Sequence, residues 1–363
     1  MRISFVLPSF PEVPVGGYRV VYEYANRLAS RGHKVSVVHP RRLALSPPKS
    51  LYRWVRRRAR RILDRLFVPQ VDWQPIDRRV SMLYVPDLRP GHVPDGDAIF
   101  ATAWQTADHV LGFPQSKGVK FYLIQHYETW AGPKEEVDAT WRAPLHKVVI
   151  AKWLLELGRE LNCDDMEYIQ NGIDHARYRL VSPIASRPKQ VAMMYSVQDW
   201  KGSRDGLRAL AIIKEGRPDL RAVLFGTPRR CVSIAEWIEY RQNPPQAELV
   251  NEIYNGSSIY LCASWSEGFS LPPAEAMACG CAVATTDCGG IREFAEHEVT
   301  ALISAPRDPE SLARNIARLL RDDGLRQRLA KAGHERIQNF TWERSTDQLE
   351  QFILLHAARE AGN

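Results

Sequence analysis

A chain of 363 residues with 45% hydrophobic and 25% charged residues has globular composition. That excludes a fibrous array or extended disorder, and the length suits two domains of ordinary size. A formal net charge of +7 favours anionic partners, among which nucleic acid, anionic lipid and phosphorylated small molecules all qualify.

Six cysteines, at 163, 231, 262, 279, 281 and 288, show neither zinc-site spacing nor the pairing of a small disulfide framework, so a reducing compartment is expected. The opening MRISFVLPSF reads as a strand over 2–8 rather than as a secretory signal. No run approaches the ~20 apolar residues that cross a bilayer. PEVPVGG (11–17) is a loop, and YRVVYEYANRLASRG (18–32) an amphipathic helix stopped at Gly32. Strands follow at 34–40, 81–86, 97–103 and 119–127, with a helix over 145–161. SPIASRPK (182–189) has the composition of a linker, after which the pattern restarts. Strands are expected at 190–196, 221–227, 257–264 and 281–287, and helices at 203–214, 246–255, 273–279 and 309–322. This alternation predicts an α/β chain of two Rossmann-like doubly wound domains, residues 1–180 and 181–340, facing across a cleft at the carboxyl ends of their strands.

Two stretches carry chemistry. In PVGGYRVVYEYA (14–25), Gly16 and Gly17 stand between strand and helix, where glycine lets the backbone approach a ligand and a helix N-terminus faces a phosphate. The spacing is not G-x-G-x-x-G, which disfavours a dinucleotide site, and taken alone the pair is a tight turn. SWSEGFSLPPAEAMACG (264–280) sets Glu267 and Glu275 eight positions apart on a loop that becomes a helix, with Pro272 and Pro273 in its first turn and Gly280 at its stop. Glu275 is expected in that first turn, where the helix dipole stabilises a carboxylate able to accept both hydrogen bonds of a sugar diol. Glu267 would accept from a second sugar. Taken singly, the simpler reading is that Glu275 caps its helix and Glu267 is a solvated carboxylate.

With these residues in view, the sequence resembles the family 4 glycosyltransferases, retaining enzymes of the GT-B fold. Their E-x-7-E signature stands here as Glu267-GFSLPPA-Glu275 within 260–294. The resemblance covers most of the chain and is more specific in its second half. It implies that Glu275 holds the ribose hydroxyls of a nucleotide and that Glu267 lies by the donor sugar. The loop of Gly268, Phe269, Ser270 and Leu271 would turn its N–H groups to sugar and phosphate. Gly16 and Gly17 would contact the donor diphosphate, and His126 of IQHYE (124–128) would lie close to the donor sugar. IQNGID (169–174) matches an N-G-hydrophobic-D motif, Gly226 of LFGTPRR (224–230) would lie beside the base, and residues 341–363 would form a helix crossing back to the first domain.

One position departs from the family. An arginine is expected five residues before the pair Lys201-Gly202, and Ser196 stands there. Removing one preorganised donor to a leaving group costs a few kcal/mol of transition-state stabilisation. Arg204, in the following helix turn, and Ser196 itself are the groups placed to substitute. The resemblance implies transfer of a hexosyl unit from a nucleoside diphosphate sugar to a glycan, lipid-linked or small-molecule hydroxyl. His126, Lys201 and Glu267 would act at the reacting centre, with no metal, since no D-x-D motif is present, and with no other cofactor. The alternatives are a nucleotide-sugar epimerase of the same fold and a non-catalytic anion- or membrane-binding protein on a transferase scaffold.

LYRWVRRRARRILDRLF (51–67) holds seven arginines between Arg53 and Arg65, with Leu51, Val55, Ala59, Ile62 and Leu66 at helical spacing. It reads as a membrane-surface helix, a solvated charged helix, or a patch for an anionic acceptor. A cytoplasmic protein at the inner face of an anionic membrane is the expectation, without nucleic acid as partner.

Overall fold

The computed structural model describes residues 1–43, 71–163 and 165–361; the basic segment 51–67 lies outside the described residues. Two compact units result: Met1–Val149 with Leu155–Ile169 and Thr346–Asn363, and Ile150–Leu154 with Gln170–Ser345.

In the first unit, short runs rich in β-branched and aromatic residues form β1 (Arg2–Val6), β2 (Lys34–Pro40), β3 (Ser81–Val85), β4 (Ala98–Ala101), β5 (Val119–Ile124), β6 (His146–Val149) and β7 (Met166–Tyr168). They make one sheet in the order β3-β2-β1-β4-β5-β6-β7, and the paired strands run parallel. Helices α1 (Gly16–Ser30), α2 (Trp104–Leu111), α3 (Lys134–Arg142) and α4 (Lys152–Glu160) connect them, the first three residues of α4, Trp153 among them, belonging to the second unit. Covered on both faces, the strands bury almost every residue: Ile3, Phe5 and Val6 of β1 and all of β4 are at most 1% exposed.

The helix expected over 145–161 is two elements, β6 and α4. A short apolar run buried on both faces has no alternation to mark it as a strand, so periodicity merged HKVV with the helix behind it. The first helix begins at Gly16 rather than residue 18, which makes both glycines its opening residues.

The second unit repeats the plan. Strands β8 (Gln190–Met194), β9 (Arg221–Gly226), β10 (Glu239–Gln242), β11 (Ile259–Cys262), β12 (Ala282–Thr286) and β13 (Ala301–Ser304) lie in the order β10-β9-β8-β11-β12-β13, again with parallel pairs. Around them run α5 (Ser203–Gly216), α6 (Leu271–Ala278), α7 (Pro309–Arg321), α8 (Asp323–Ile337) and α9 (Trp342–Ala361). Leu210, Ile213, Leu261, Ile316, Leu319 and Leu329 share the core beneath α5, α7 and α8. Chain order reverses between β8 and β11, as it does between β1 and β4, and such switch points are where open α/β sheets bind ligands. From Thr346 onward α9 belongs to the first unit, where Arg31 lies 2.6 Å from both Asp347 and Glu350 and His33 lies 2.6 Å from Glu350.

His39 of β2 carries a consequence for stability. It is 1% exposed, its Nε2 is 2.9 Å from the Tyr22 hydroxyl, and its ring stacks on Tyr84 at 5.2 Å. Burial pushes its pKa down to about 4. A folded-state value below the unfolded one means that the unfolded chain binds the proton first, so stability is present above pH 6.5 and is lost as pH falls towards 4. Chemical denaturation across that window is expected to show a loss on the order of 3 kcal/mol that His39→Gln removes. An unchanged slope in that variant would assign the acid sensitivity to other groups.

Candidate functional site

The centre of the site is built from two loops at the carboxyl edge of the second sheet, after β8 and β11. Beyond β8, the Ser196 backbone N–H donates to Ser203 Oγ at 2.9 Å and Ser196 Oγ accepts from the Gln198 N–H at 3.2 Å. A 3-10 turn, Asp199–Lys201, then delivers Lys201, and Gly202 leaves the turn with φ of 61°. A Cβ at Gly202 would lie 1.8 Å from the Ala263 carbonyl oxygen, so both the left-handed backbone and the close approach require glycine. The turn is thereby pressed against the end of β11.

There Lys201 Nζ lies 2.9 Å from each carboxylate oxygen of Glu267, and Ser264 Oγ donates to Glu267 Oε1 at 2.7 Å. Burial disfavours the ammonium form of Lys201, but the Glu267 carboxylate outweighs it and the pKa is raised. Lys201 is therefore a fixed cation at neutral pH. A cavity of about 10 Å³, water-sized, opens beside the pair and is lined in part by Cys262, Ser264, Ser270 and Pro272.

The loop after Glu267 is held from several sides. The Glu267 N–H donates to the Cys288 carbonyl at 2.8 Å, and the Gly290 N–H donates to the Glu267 carbonyl at 3.0 Å. Trp153 Nε1 donates to the Gly268 carbonyl at 3.0 Å. Phe269 is 2% exposed and packs with Phe294 and Phe340, which leaves only its backbone for a ligand. Ser270 takes φ of 72° as the N-cap of α6, and Leu271 is the first helical residue.

That start corrects the expected position of Glu275. Because Ser270 caps the helix, Glu275 is its fifth residue, and the first turn holds no acidic residue. The helix-dipole stabilisation expected for it fades beyond the first turn. Glu275 is instead 3% exposed and accepts a hydrogen bond from the Tyr254 hydroxyl at 3.1 Å. The two glutamates thus occupy different surroundings, one against a cation at the loop and one inside the unit under a phenol. Of the remaining second-unit candidates, Arg204 is exposed on the first turn of α5. Gly226 ends β9 where a Cβ would meet the Tyr195 carbonyl oxygen at 2.2 Å.

Gly16, Gly17 and His126 belong to the first unit. Gln125 Nε2 donates to the Gly17 carbonyl at 3.0 Å. His126 is half-buried just past β5, with Nδ1 3.3 Å from the Tyr127 carbonyl oxygen and its ring edge-on to Trp130 at 4.3 Å.

Sequence reading missed three contributors. Ser264, three residues before Glu267, has the spacing of a side chain that can reach back to it, a signal that was available. Tyr254 and Trp153 act across the fold and carry no local signal. Within the first unit, Glu128 accepts the Trp104 N–H at 2.8 Å where α2 begins, and burial pushes its carboxyl up to about 7. Among the described residues no group of three or more His, Cys, Asp or Glu is arranged to hold a metal ion.

Residues 174–336, which include Lys201, Glu267 and Glu275, match the family described as glycosyl transferases group 1. The D-inositol 3-phosphate glycosyltransferase of Salinispora tropica is 29% identical over 191 residues, which cover 48% of this chain and 39% of that protein. The chain thus spans less than half the length of that curated relative. Among solved structures, sucrose-phosphate synthase from Thermosynechococcus elongatus superposes with a TM-score of 0.72 at 18% identity over 100% of both chains. HepE from Anabaena, solved with UDP-glucose, gives 0.68 at 15% identity over 97% of this chain and 98% of that one. At such identities the likeness is one of fold. Segment match and full-length likeness point the same way: residues 174–336 resemble the glycosyl transferases group 1, and the chain has a GT-B fold.

Proposed function

We propose that the protein is a retaining glycosyltransferase that moves a sugar from a nucleoside diphosphate sugar to a glycan, lipid-linked or small-molecule hydroxyl without a metal ion. The observation that carries this reading is the Lys201–Glu267–Ser264 cluster at the switch point of the second sheet, on the E-x-7-E loop of the segment that matches glycosyl transferases group 1. A fixed ammonium is suited to the negative charge that develops on a departing diphosphate. Glu275 would accept the ribose hydroxyls, Glu267 would lie at the donor sugar, and the N–H groups of residues 268–271 would serve sugar and phosphate. His126, by family resemblance, would orient the donor.

In the reaction the bond from the anomeric carbon to the diphosphate breaks and a bond to the acceptor oxygen forms on the same face. The acceptor proton passes to the departing phosphate oxygen. No covalent nucleophile is assigned. Arg204 is our choice for the cation that the family places at position 196. The Ser196 hydroxyl is an uncharged donor, whereas Arg204 carries a fixed charge and extends from the first turn of α5 into solvent. The solved complex of HepE with UDP-glucose supports a UDP-sugar as the first donor to try. The inositol phosphate transferase supports a hydroxyl-rich acceptor, phosphorylated or not. Seven arginines in 51–67 support an anionic membrane surface or an anionic acceptor as a further partner, on sequence grounds alone.

Once thermal shift has selected among UDP, GDP and dTDP, calorimetry is expected to separate two roles. Glu275→Ala weakens nucleotide binding about tenfold or more, whereas His126→Ala keeps the affinity within about twofold and lowers turnover. Equal loss of binding in both variants would contradict these assignments. Lys201→Met is expected to lower kcat/KM about 100-fold. It also leaves the Glu267 charge without its ammonium, at about 2 kcal/mol of stability, less than for a dry pair because Lys201 keeps some solvent contact. For the stereochemistry, proton NMR of the first transferred or hydrolysed sugar should show the anomeric configuration of the donor. An inverted product would sink the retaining reading and leave the family match of residues 174–336 in place.

A further inference from the structure

We propose that Tyr254 is the positioning residue of the nucleotide's ribose: it holds the Glu275 carboxylate in the orientation from which that carboxylate accepts the ribose hydroxyls. The inference rests on the reading above, in which Glu275 takes the ribose.

Tyr254 is 0% exposed, and its hydroxyl donates to Glu275 Oε2 at 3.1 Å. Burial lifts its pKa well above the ordinary phenol range, so at neutral pH the group remains a donor. The phenol arrives from an irregular element. After the short helical turn Gln246–Glu248, residues Leu249–Tyr254 form a π-helix, and the Asn255 N–H reaches the Val250 carbonyl at 3.0 Å. A π-turn inserts one residue into the helical register, rotates the chain beyond it, and is found frequently at functional sites. Here it ends on Tyr254. The carbonyl of Tyr254 accepts from Arg187 Nη1 at 3.3 Å and from Cys281 Sγ at 3.1 Å.

The ring is fixed as firmly as the backbone. Phe225 meets it edge-on at 5.7 Å and 90°, and Tyr260 packs at 5.7 Å and 67°. Phe225 is the penultimate residue of β9, which ends at Gly226, the position assigned to the base. One side chain thus links the ribose carboxylate to the strand end at the base. Such a link suits a carboxylate that must present one orientation to a diol.

Tyr254→Phe deletes one oxygen and keeps the ring. Calorimetry would compare UDP, GDP and ADP with their 2′-deoxy counterparts in the wild type, in Tyr254→Phe, in Glu275→Gln and in the double variant. The wild type is expected to prefer ribose about tenfold, and Tyr254→Phe to lose most of that preference while binding the deoxy ligand within about twofold. In the Glu275→Gln background, Tyr254→Phe should change the ratio no further. A lowered Tm with an intact ribose preference would make Tyr254 merely structural and overturn the inference, leaving the proposed function standing. Additive losses in the double variant would overturn it too. A wild type that binds nucleotide without ribose preference would overturn the role of Glu275 and the inference with it. Should Tyr254→Phe fail to fold, the same ratio in Phe225→Leu, which loosens the ring and keeps the hydroxyl, is expected to fall; an unchanged ratio there overturns the link.

Discussion

The contact on which the second unit's loops depend is the ion pair between Lys201 and Glu267. Taking two charges out of water costs several kcal/mol per ion, and the attraction offsets that only where geometry is good and further hydrogen bonds complete the shells. Both conditions hold: the ammonium faces both carboxylate oxygens at 2.9 Å, and Ser264 adds a bond at 2.7 Å. The pair ties the loop after β8 to the loop after β11, two neighbouring strands at the centre of the sheet. It can form only because small residues let the backbone in. Gly202 stands against the Ala263 carbonyl oxygen, and a Cβ at Gly206 would lie 2.3 Å from Met193 Sδ. Helix α5 therefore starts directly on the sheet, with Lys201 at its threshold.

From that pair the E-x-7-E loop acquires its shape. Glu267 is fixed by its side chain and again by its backbone, through the Cys288 carbonyl and the Gly290 N–H. Gly290 must be glycine at that point, since a Cβ would lie 2.4 Å from the Gly268 carbonyl oxygen. Phe269 then dives into the interior, and Ser270 adopts a left-handed conformation that costs a non-glycine residue on the order of 1 kcal/mol. Surroundings that fix the residues on both sides hold such strain in place. The chain emerges with α6 starting at Leu271 and with Glu275 one turn in, buried against Tyr254. Eight residues therefore separate two carboxylates with unlike environments, one set by a cation and one by a phenol.

How much of this was legible in the sequence depends on how local each determinant is. The two parallel sheets were readable because strand and helix signals alternate at short range, and so were the loop, the lysine-glycine pair and the glutamate spacing. The strand His146–Val149 was not, because four buried residues without alternation look like the start of the helix behind them. The helix start at Leu271 was displaced by two residues, since nothing local announces a serine in a left-handed cap. Tyr254 was invisible for a deeper reason. Its role depends on a π-turn and on rings from Phe225 and Tyr260, which come from different strands, and no window of sequence contains those three groups as neighbours. Phe269 divides the two kinds of signal: the motif marks its backbone N–H for a donor, while the packing of its side chain with Phe294 and Phe340 depends on residues distant in sequence.

The pairing of Lys201 also changes what the serine at position 196 means. A lysine facing a carboxylate at 2.9 Å contributes little net charge at a distance, because the pair is a dipole rather than a monopole. On the proposed reading, a diphosphate entering this region is attracted less by Lys201 than a count of cations suggests. More of the field then falls to Arg204 and to backbone N–H groups at the starts of α5 and α6, which lie at the same edge of the sheet. Ground-state attraction is weakened by this arrangement more than transition-state stabilisation is. In the proposed reaction, charge would accumulate on the phosphate oxygen as the anomeric bond breaks, and a short-range dipole whose positive end is fixed in place would answer that local change more strongly than it answered the intact donor. An interaction that strengthens only as charge develops is the kind that lowers a barrier rather than merely tightening binding.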